Sequence, residues 1–174
     1  MRIFLAGFMG TGKSTVGRLV AKEFKMKFID MDEEIEKEEG MSIPQIFRLK
    51  GEKYFRRKEK EWVKKLIKEE NIVVALGGGT IVDEENLELL KKSGFIILLK
   101  AEPQIIWERT RHFTHRPLLN VPNPLEKIKE LLKFREPFYN KVSVQIDTSF
   151  KSVEQVTAEI KDKFYEYKRT SRIS

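Results

Sequence analysis

The sequence predicts an open α/β fold, in which a five-stranded parallel sheet carries helices on both faces. Five short apolar runs of strand length recur along the 174 residues, and amphipathic segments of helix length separate them. The middle three runs are almost continuously apolar, which is typical of strands buried on both faces of a parallel sheet. The intervening helices provide the crossovers that parallel strands need. We expect one domain, since a chain of this length fits a single hydrophobic core.

The elements follow in a regular order. The expected strands cover residues 3–6, 27–30, 72–76, 95–99 and 142–146. The expected helices cover residues 14–24, 83–92, 103–109, 124–135 and 152–167. Two segments are additional to a minimal alternation of strands and helices. Segment 33–70 is charged and mostly helical, and segment 111–123 contains two prolines and no helical periodicity. Segments of this length inside a compact domain are usually either functional or disordered.

Composition narrows the classes of function. The absence of Cys excludes a disulfide framework and thiolate zinc sites, and two His are too few for a histidine-based metal site. No stretch approaches eighteen apolar residues, and the apolar run at 3–7 is too short for a signal peptide, so we expect a cytoplasmic protein without a membrane span. The net charge of +7 indicates an anionic partner. Segment 48–68 alone holds ten Lys and Arg against three Glu.

A phosphate-binding loop follows the first strand. Residues 7–14 read Gly-Phe-Met-Gly-Thr-Gly-Lys-Ser, a full match to that pattern. The glycines let backbone N–H groups converge on phosphate oxygens, Lys13 reaches the β- and γ-phosphates, and the Ser14 hydroxyl can bind Mg²⁺. The helix that begins near Ser14 adds its positive end. The alternative, a glycine-rich turn with an accidental Lys, is poorly supported beside a strand and a helix in this order.

Two carboxylates follow the second strand. Because side chains alternate along a strand, Asp30 and Asp32 are expected to project from one face, next to the phosphate loop. One of them could hold Mg²⁺ through water, and the other could accept a proton from a substrate hydroxyl. The alternative is that Asp32 only caps a helix that begins at Glu33.

The third strand ends in three glycines, and a basic helix precedes it. Gly77, Gly78 and Gly79 could expose consecutive N–H groups as an anion-binding nest, although a structural turn is the alternative. In the basic segment, the apolar residues Phe55, Trp62 and Leu66 predict a buried stripe with Arg56 at its edge. An Arg in that place could point its guanidinium into a cleft and bind a carboxylate, or it could belong to a solvated face.

These motifs together resemble the shikimate kinases, from residue 2 to about 147. The resemblance rests on the phosphate loop through Thr15, the Asp-x-Asp pair, Phe-Arg-Arg at 55–57 followed by Glu59, and the triple glycine. It continues with Arg-Pro-Leu-Leu at 116–119 and Arg-x-Pro-x-Tyr at 135–139. Such motifs in order and at matching spacing imply ATP-dependent phosphorylation of the shikimate 3-hydroxyl, in the route to chorismate and the aromatic amino acids.

The resemblance also implies a site. Lys13, Asp32 and Arg116 would be catalytic, with Asp32 as the base and Arg116 beside the transferring phosphoryl group. The residues that would bind ATP are Gly10, Thr11, Gly12, Lys13, Ser14, Thr15, Arg109 and Arg116, with Arg109 against adenine. The residues that would bind shikimate are Asp32, Arg56, Gly77, Gly78, Gly79 and Arg135. Ser14 and Asp30 would hold Mg²⁺.

The implied fold is that of the nucleoside monophosphate kinases, with strand order 2-3-1-4-5. Residues 1–32, 71–110 and 124–174 would form the core, 33–70 the substrate-binding subdomain and 111–123 a lid over the active site. The expected partners are ATP and shikimate, with no nucleic acid or membrane, and the expected state is a monomer.

Three other functions compete with this interpretation. A regulatory GTPase would need an Asp-x-x-Gly element, which the sequence lacks, and the match to a guanine-binding motif at 140–143 has no Asp. A nucleic-acid-binding module would explain the charge of segment 48–68 but not Lys13 in a phosphate loop. A kinase of another small hydroxy acid, such as gluconate, is the closest alternative.

Overall fold

The computed structural model describes residues 1–113 and 117–171, in which five parallel strands form one sheet. The order is β2-β3-β1-β4-β5, as predicted. The strands are β1 (Arg2–Gly7), β2 (Lys27–Asp30), β3 (Ile72–Ala75), β4 (Phe95–Lys100) and β5 (Gln145–Asp147). Ala75 of β3 is in register with both Leu5 of β1 and Asp30 of β2. The carboxyl ends of these strands therefore lie level, and the loops that follow them meet at one edge of the sheet.

Eight helices and two short 3-10 turns surround the sheet in the described residues. The helices are α1 (Lys13–Phe24), α2 (Met31–Glu39), α3 (Ile43–Lys50), α4 (Glu52–Leu66), α5 (Glu84–Ser93), α6 (Pro103–Thr110), α7 (Pro124–Tyr139) and α8 (Val153–Thr170). The 3-10 turns are Thr80–Val82 and Pro117–Leu119. None of these helices is long and apolar enough to cross a membrane.

The core has two layers, one on each face of the sheet. On one face, α1 and α8 pack through Val20, Ile160 and their neighbours against side chains of the central strands. On the other face, α2 to α7 cover the alternate side chains, such as Phe4 of β1 and Leu98 of β4. Both faces of β3 and β4 are buried, as their continuous apolar runs predict, and so are those of the central β1. The same expectation is wrong for β2, which lies at the edge of the sheet with Lys27 exposed.

Two elements differ from the sequence-based expectation. The fifth strand is shorter than 142–146 because Val142 closes the turn after α7, where its N–H donates to Tyr139 O at 3.0 Å. Val142 is fully buried, so its apolar character reflects core packing and not strand pairing. The helix expected at 124–135 continues to Tyr139 through Pro137. Arg135 and Tyr139 consequently lie one turn apart on the same face of α7.

Candidate active site

The phosphate loop lies between β1 and α1, as predicted. Gly10 and Gly12 have φ values of 78° and 96°, a region that residues with a Cβ rarely adopt. The fully buried Thr11 donates its hydroxyl to Phe8 O at 2.7 Å, which fixes the turn. Lys13 extends back across the loop, and its ammonium donates to Gly7 O at 2.7 Å and Phe8 O at 2.9 Å. The loop thus presents backbone amides, the start of α1 and one cation at the same point.

Ser14 and Asp30 lie in direct contact at the carboxyl edge of the sheet. The Ser14 hydroxyl donates to Asp30 Oδ2, and Asp30 Oδ1 accepts from the N–H groups of Asp32 and Glu33. Asp30 therefore caps α2 with one oxygen and faces the phosphate loop with the other. A hydroxyl and a carboxylate are hard oxygen donors of the kind that Mg²⁺ prefers, so the pair fits the predicted metal site.

Asp30 and Asp32 do not lie on one strand, contrary to the expectation from the sequence. Asp30 ends β2, whereas Asp32 lies in the first turn of α2, so the alternation along a strand does not relate them. The alternative that Asp32 caps a helix at Glu33 is also wrong, because α2 begins at Met31 and Asp30 is its cap. Asp32 Oδ1 nevertheless faces the site, since a Cβ built on Gly77 would lie 3.0 Å from it.

The triple glycine forms a turn whose carbonyls point away from the cleft. Gly77 O accepts from Thr80 N at 3.1 Å, Gly79 O from Val82 N at 3.1 Å, and Gly78 O from the Tyr139 hydroxyl at 2.7 Å. Burial raises the pKa of Tyr139, which keeps its hydroxyl protonated as a donor. The N–H groups of the three glycines donate to no other group among the described residues. We call residues 77–79 the glycine nest, and their binding of an anion stays a prediction.

Arg56 packs directly over the last glycine. A Cβ on Gly79 would lie 2.6 Å from Arg56 Nη1, so only glycine allows this approach. Arg56 Nη1 donates to Glu59 Oε2 at 2.6 Å, and Nη2 donates to Glu52 Oε1 at 3.2 Å. Burial lowers the pKa of the Arg56 guanidinium, but the carboxylates of Glu59 and Glu52 together outweigh this effect and hold the pKa above its ordinary value. Arg56 therefore remains a cation at the edge of the cleft.

Glu59 is a residue of this site that the sequence analysis did not assign. The buried positions of α4 are Phe55, Glu59, Val63 and Leu66, whereas Trp62, expected in the stripe, is only partly buried. Glu59 is 1% exposed and contacts both Arg56 and Thr80. Its spacing in the sequence could have predicted this burial, because Glu59 falls four residues after Phe55 and four before Val63, on the apolar face of the helix.

Arg135 supplies a second cation from the opposite side. It is 4% exposed, and its guanidinium lies over the Phe8 ring, with 5.1 Å between the carbon and the ring centroid. A Cβ on Gly78 would lie 3.1 Å from Arg135 Nη1. Among the described residues, this nitrogen has no hydrogen-bond partner. A buried guanidinium N–H without an acceptor is costly, and the nitrogen lies beside the glycine nest.

One cleft of about 320 Å³ brings these groups together. Its lining residues include Lys13, Ser14, Asp30, Asp32, Arg56, Glu59, Gly77, Gly78, Gly79 and Arg135. A second cleft of about 320 Å³ shares Gly10, Gly12 and Thr15 with the first and extends along α8. The phosphate loop thus separates a polar, cation-rich cleft from a second one that can take another part of a ligand.

Arg109 lines the second cleft, where it joins two loops. Its Nη1 donates to Gly10 O at 3.1 Å, and its Nη2 donates to Thr148 O at 2.8 Å. The phosphate loop is therefore tied to the segment after β5 by one guanidinium. Its predicted packing against adenine stays a prediction.

Arg116 lies outside the described residues, together with Thr114 and His115. On either side of this gap, Phe113 lines both clefts and Leu118 lines the polar one. The role of Arg116 and of segment 111–123 as a lid stays a prediction.

The basic segment 48–68 is largely neutralised by neighbouring helices. Lys58 and Lys65 form ion pairs with Glu38 of α2, and Lys60 and Lys64 with Glu85 of α5. The hydrogen bonds that Lys58 donates to Glu38 and Glu61 raise the pKa of Lys58 above its usual range. This charge therefore stabilises the packing of α4 and gives little support to a nucleic-acid surface.

Comparison with known proteins agrees with this geometry. The shikimate kinase family profile matches residues 9–165. The chain is 47% identical to the shikimate kinase of Thermodesulfovibrio yellowstonii over 97% of this chain and 96% of that protein. It is similar to a solved structure, shikimate kinase from Acinetobacter baumannii in complex with shikimate, with a TM-score of 0.92 and 37% identity over 96% of this chain and 94% of that one.

A gluconokinase from Sinorhizobium meliloti covers 91% of this chain and 87% of its own, but its TM-score is 0.57 and its identity is 20%. That likeness shows a shared fold alone, so the comparisons favour the predicted acceptor over gluconate. The phosphate loop, the glycine nest and its two flanking arginines thus agree with the extent of the sequence matches: the chain belongs to the shikimate kinase family.

Proposed function

We propose that the chain transfers the γ-phosphoryl group of ATP to the 3-hydroxyl of shikimate, giving shikimate 3-phosphate and ADP, with the residues of the polar cleft in defined roles. The observation that carries these roles is the buried Arg135 Nη1, which has no acceptor among the described residues and lies beside Gly78 of the glycine nest, where a Cβ would be 3.1 Å from it. A cation and an amide nest that converge in this way fit a carboxylate. Shikimate carries one carboxylate on a ring of hydroxyls.

ATP is placed by the phosphate loop. Its β- and γ-phosphates accept from the loop amides, and Lys13 exchanges its contacts with Gly7 O and Phe8 O for phosphate oxygens. The nucleoside then extends into the second cleft toward Arg109. Because Lys13 already lies over the loop, it needs to move only its terminal atoms to stabilise charge on the transferring group.

Ser14 and Asp30 would hold Mg²⁺, since their oxygens already contact each other beside the phosphate loop. When bound, the ion would neutralise phosphate charge and orient the phosphoryl group. The described residues contain no group of three or more His, Asp or Glu that could enclose a metal ion. Mg²⁺ in kinases needs no such cage, because phosphates and water complete its shell.

Shikimate is oriented by its carboxylate and activated at its hydroxyl. Arg56, Arg135 and the amides of Gly77–Gly79 bind the carboxylate at the far end of the cleft, which turns the 3-hydroxyl toward Asp32. Asp32 accepts the hydroxyl proton while the oxygen forms its bond to the γ-phosphorus and the bond to the β,γ-bridging oxygen breaks. ADP leaves with that bridging oxygen. Segment 111–123 would exclude water from this step, with Arg116 beside the γ-phosphate.

The comparisons leave several expectations as proposals. We expect a cytoplasmic monomer that needs no nucleic acid or membrane. Size-exclusion chromatography with light scattering would give the mass in solution, and a dimer would contradict the expected state.

A substrate panel tests the proposed function. The protein is incubated with ATP, Mg²⁺ and one acceptor at a time: shikimate, quinate, gluconate or glycerol. ADP release is followed by a coupled assay, and the phosphorylated product is identified by phosphorus NMR. We expect turnover with shikimate and at least tenfold lower kcat/KM with the other acceptors. Equal or faster turnover of gluconate would contradict the proposal, as would ADP release that does not depend on shikimate.

A further inference from the structure

Glu59 is a buried carboxylate whose two oxygens have different partners. Oε2 accepts from Arg56 Nη1 at 2.6 Å, and Oε1 accepts from the Thr80 hydroxyl at 2.8 Å. At 1% exposure, neither oxygen can rely on water for a hydrogen bond. The number of donors that Glu59 takes from Arg56 therefore depends on whether Thr80 satisfies the other oxygen.

The backbone of Thr80 is fixed on both sides, beside Glu59. The residue is fully buried at the end of the triple-glycine turn. Its N–H donates to Gly77 O at 3.1 Å, and its carbonyl accepts from Asn86 Nδ2 at 3.0 Å. A Cβ on Gly77 would lie 3.0 Å from Thr80 Oγ1 and 2.5 Å from Glu59 Oε1, so the pair also forms the wall behind that glycine.

We propose that Thr80 is a positioning residue for recognition of the acceptor's carboxylate, acting through Glu59 on Arg56. This inference rests on the proposed function. By occupying Oε1, the hydroxyl limits Glu59 to a single bond with the guanidinium. Arg56 then stays over Gly79 with its remaining N–H groups directed at the cleft and at the exposed Glu52. Thr80 itself touches neither substrate.

The consequence of losing the hydroxyl follows from the burial of the Glu59 carboxylate. Without Thr80 Oγ1, Glu59 Oε1 is a buried carboxylate oxygen that lacks a donor. The nearest strong donor is the Arg56 guanidinium, and the paired fork geometry of Arg and carboxylate favours a second bond between them. The guanidinium would then rotate toward Glu59 and away from Gly79, which weakens its contact with the acceptor and leaves the phosphate loop unchanged.

The test compares three variants in steady-state kinetics. Thr80→Val has nearly the same shape and lacks the hydroxyl, Thr80→Ser keeps the hydroxyl, and Thr157→Val removes a hydroxyl from a buried Thr of α8, where it donates to Val153 O. We expect Thr80→Val to raise the shikimate KM about tenfold, the effect of one hydrogen bond to a charged group, with the ATP KM changed less than twofold. Thr80→Ser and Thr157→Val should stay within twofold of the parent protein.

A double-mutant cycle separates positioning from a merely structural role. If Thr80 acts through Arg56, then Thr80→Val should add less than twofold to the shikimate KM of Arg56→Lys. The inference would be overturned if the effects of Thr80→Val and Arg56→Lys on the shikimate KM multiply in the double variant. It would also be overturned if Thr80→Val raises the KM for ATP as much as the KM for shikimate. Should Thr80→Val fail to fold, Thr80→Ala replaces it. A shikimate KM that is raised in Thr80→Ala and unchanged in Thr80→Ser supports the inference. A shikimate KM of Thr80→Ala equal to that of Thr80→Ser overturns it.

The two proposals fail separately. If the parent protein phosphorylates no shikimate, the proposed function is wrong. If it does so and Thr80→Val has the parent's shikimate KM, only the positioning role is wrong.

Discussion

Replacing Arg135 by Met should separate the stability of the protein from its affinity for the acceptor. Arg135 is 4% exposed, and its Nη1 has no acceptor among the described residues. A buried unsatisfied donor costs about 1–3 kcal/mol, and Met fills a similar volume without a polar atom. The substitution also removes the contact with the Phe8 ring at 5.1 Å, which is worth about 0.5–2 kcal/mol. The gain from removing the unsatisfied donor exceeds the loss of the Phe8 contact by about 1 kcal/mol. The variant should therefore be more stable, with a Tm about 2–4 °C higher.

The effect on binding should have the opposite sign. A charge-assisted hydrogen bond to a carboxylate contributes about 1.5–3 kcal/mol, so the Kd for shikimate should rise about 10- to 150-fold. Calorimetric titration with shikimate measures this loss, and a titration with ATP measures the nucleotide site, where we expect less than a twofold change. Differential scanning calorimetry gives the Tm.

The matched control is Arg48→Met, the same chemical change at an exposed position of α3. It should alter neither the Tm by more than about 1 °C nor the shikimate Kd by more than twofold, as expected for surface substitutions. A clear fall in the Tm of Arg135→Met with unchanged shikimate affinity would refute the reasoning. It would mean that Arg135 is a structural residue.

The other predictions concern the reaction itself. Lys13→Met should lower kcat by at least about 10²-fold while circular dichroism shows an intact fold, and normal turnover would contradict the role of the phosphate loop. Asp32→Asn should lower kcat by about 10²–10⁴-fold, because the amide cannot accept the hydroxyl proton; a change below threefold would exclude a base. Arg56→Lys keeps the charge and loses the fork, so the shikimate KM should rise tenfold or more with a nearly constant ATP KM. Equal rises would indicate a structural Arg56. Arg116→Ala should lower kcat by about 10²-fold or more with little change in nucleotide affinity, measured by titration, and an unaffected kcat would remove it from the reaction.

Much of the fold and of the phosphate loop could be predicted because local chemistry determines them. Continuous apolar runs separated by amphipathic helices indicate a parallel sheet, and the loop motif fixes where phosphate meets it. The elements that deviate do so for tertiary reasons. Val142 is apolar because it fills the core from a turn, and α7 continues through Pro137 to Tyr139, whose hydroxyl donates to Gly78 O.

The contacts of Asp30 show a different limit of sequence patterns. Strand alternation predicted that Asp30 and Asp32 share a face, but the chain changes from strand to helix between them. Asp30 is both the cap of α2 and the partner of Ser14, two roles that the sequence analysis treated as alternatives for its neighbour. A carboxylate has two oxygens, so capping and a place in the site do not exclude each other.

Glu59 was missed because a charged residue on the apolar face of a helix looks like an irregularity in the pattern. In the structure Glu59 accepts a hydrogen bond from the half-buried guanidinium of Arg56 and holds it in place. Arg135 Nη1, by contrast, has no hydrogen-bond partner in the part of the chain that the structure describes. The two arginines of the site therefore differ: one is already balanced by a neighbour, and the other depends more on an incoming anion. Affinity for the acceptor should accordingly depend on Arg135 for charge and on Arg56 for orientation, which is why the methionine variant at 135 and the lysine variant at 56 are the informative changes.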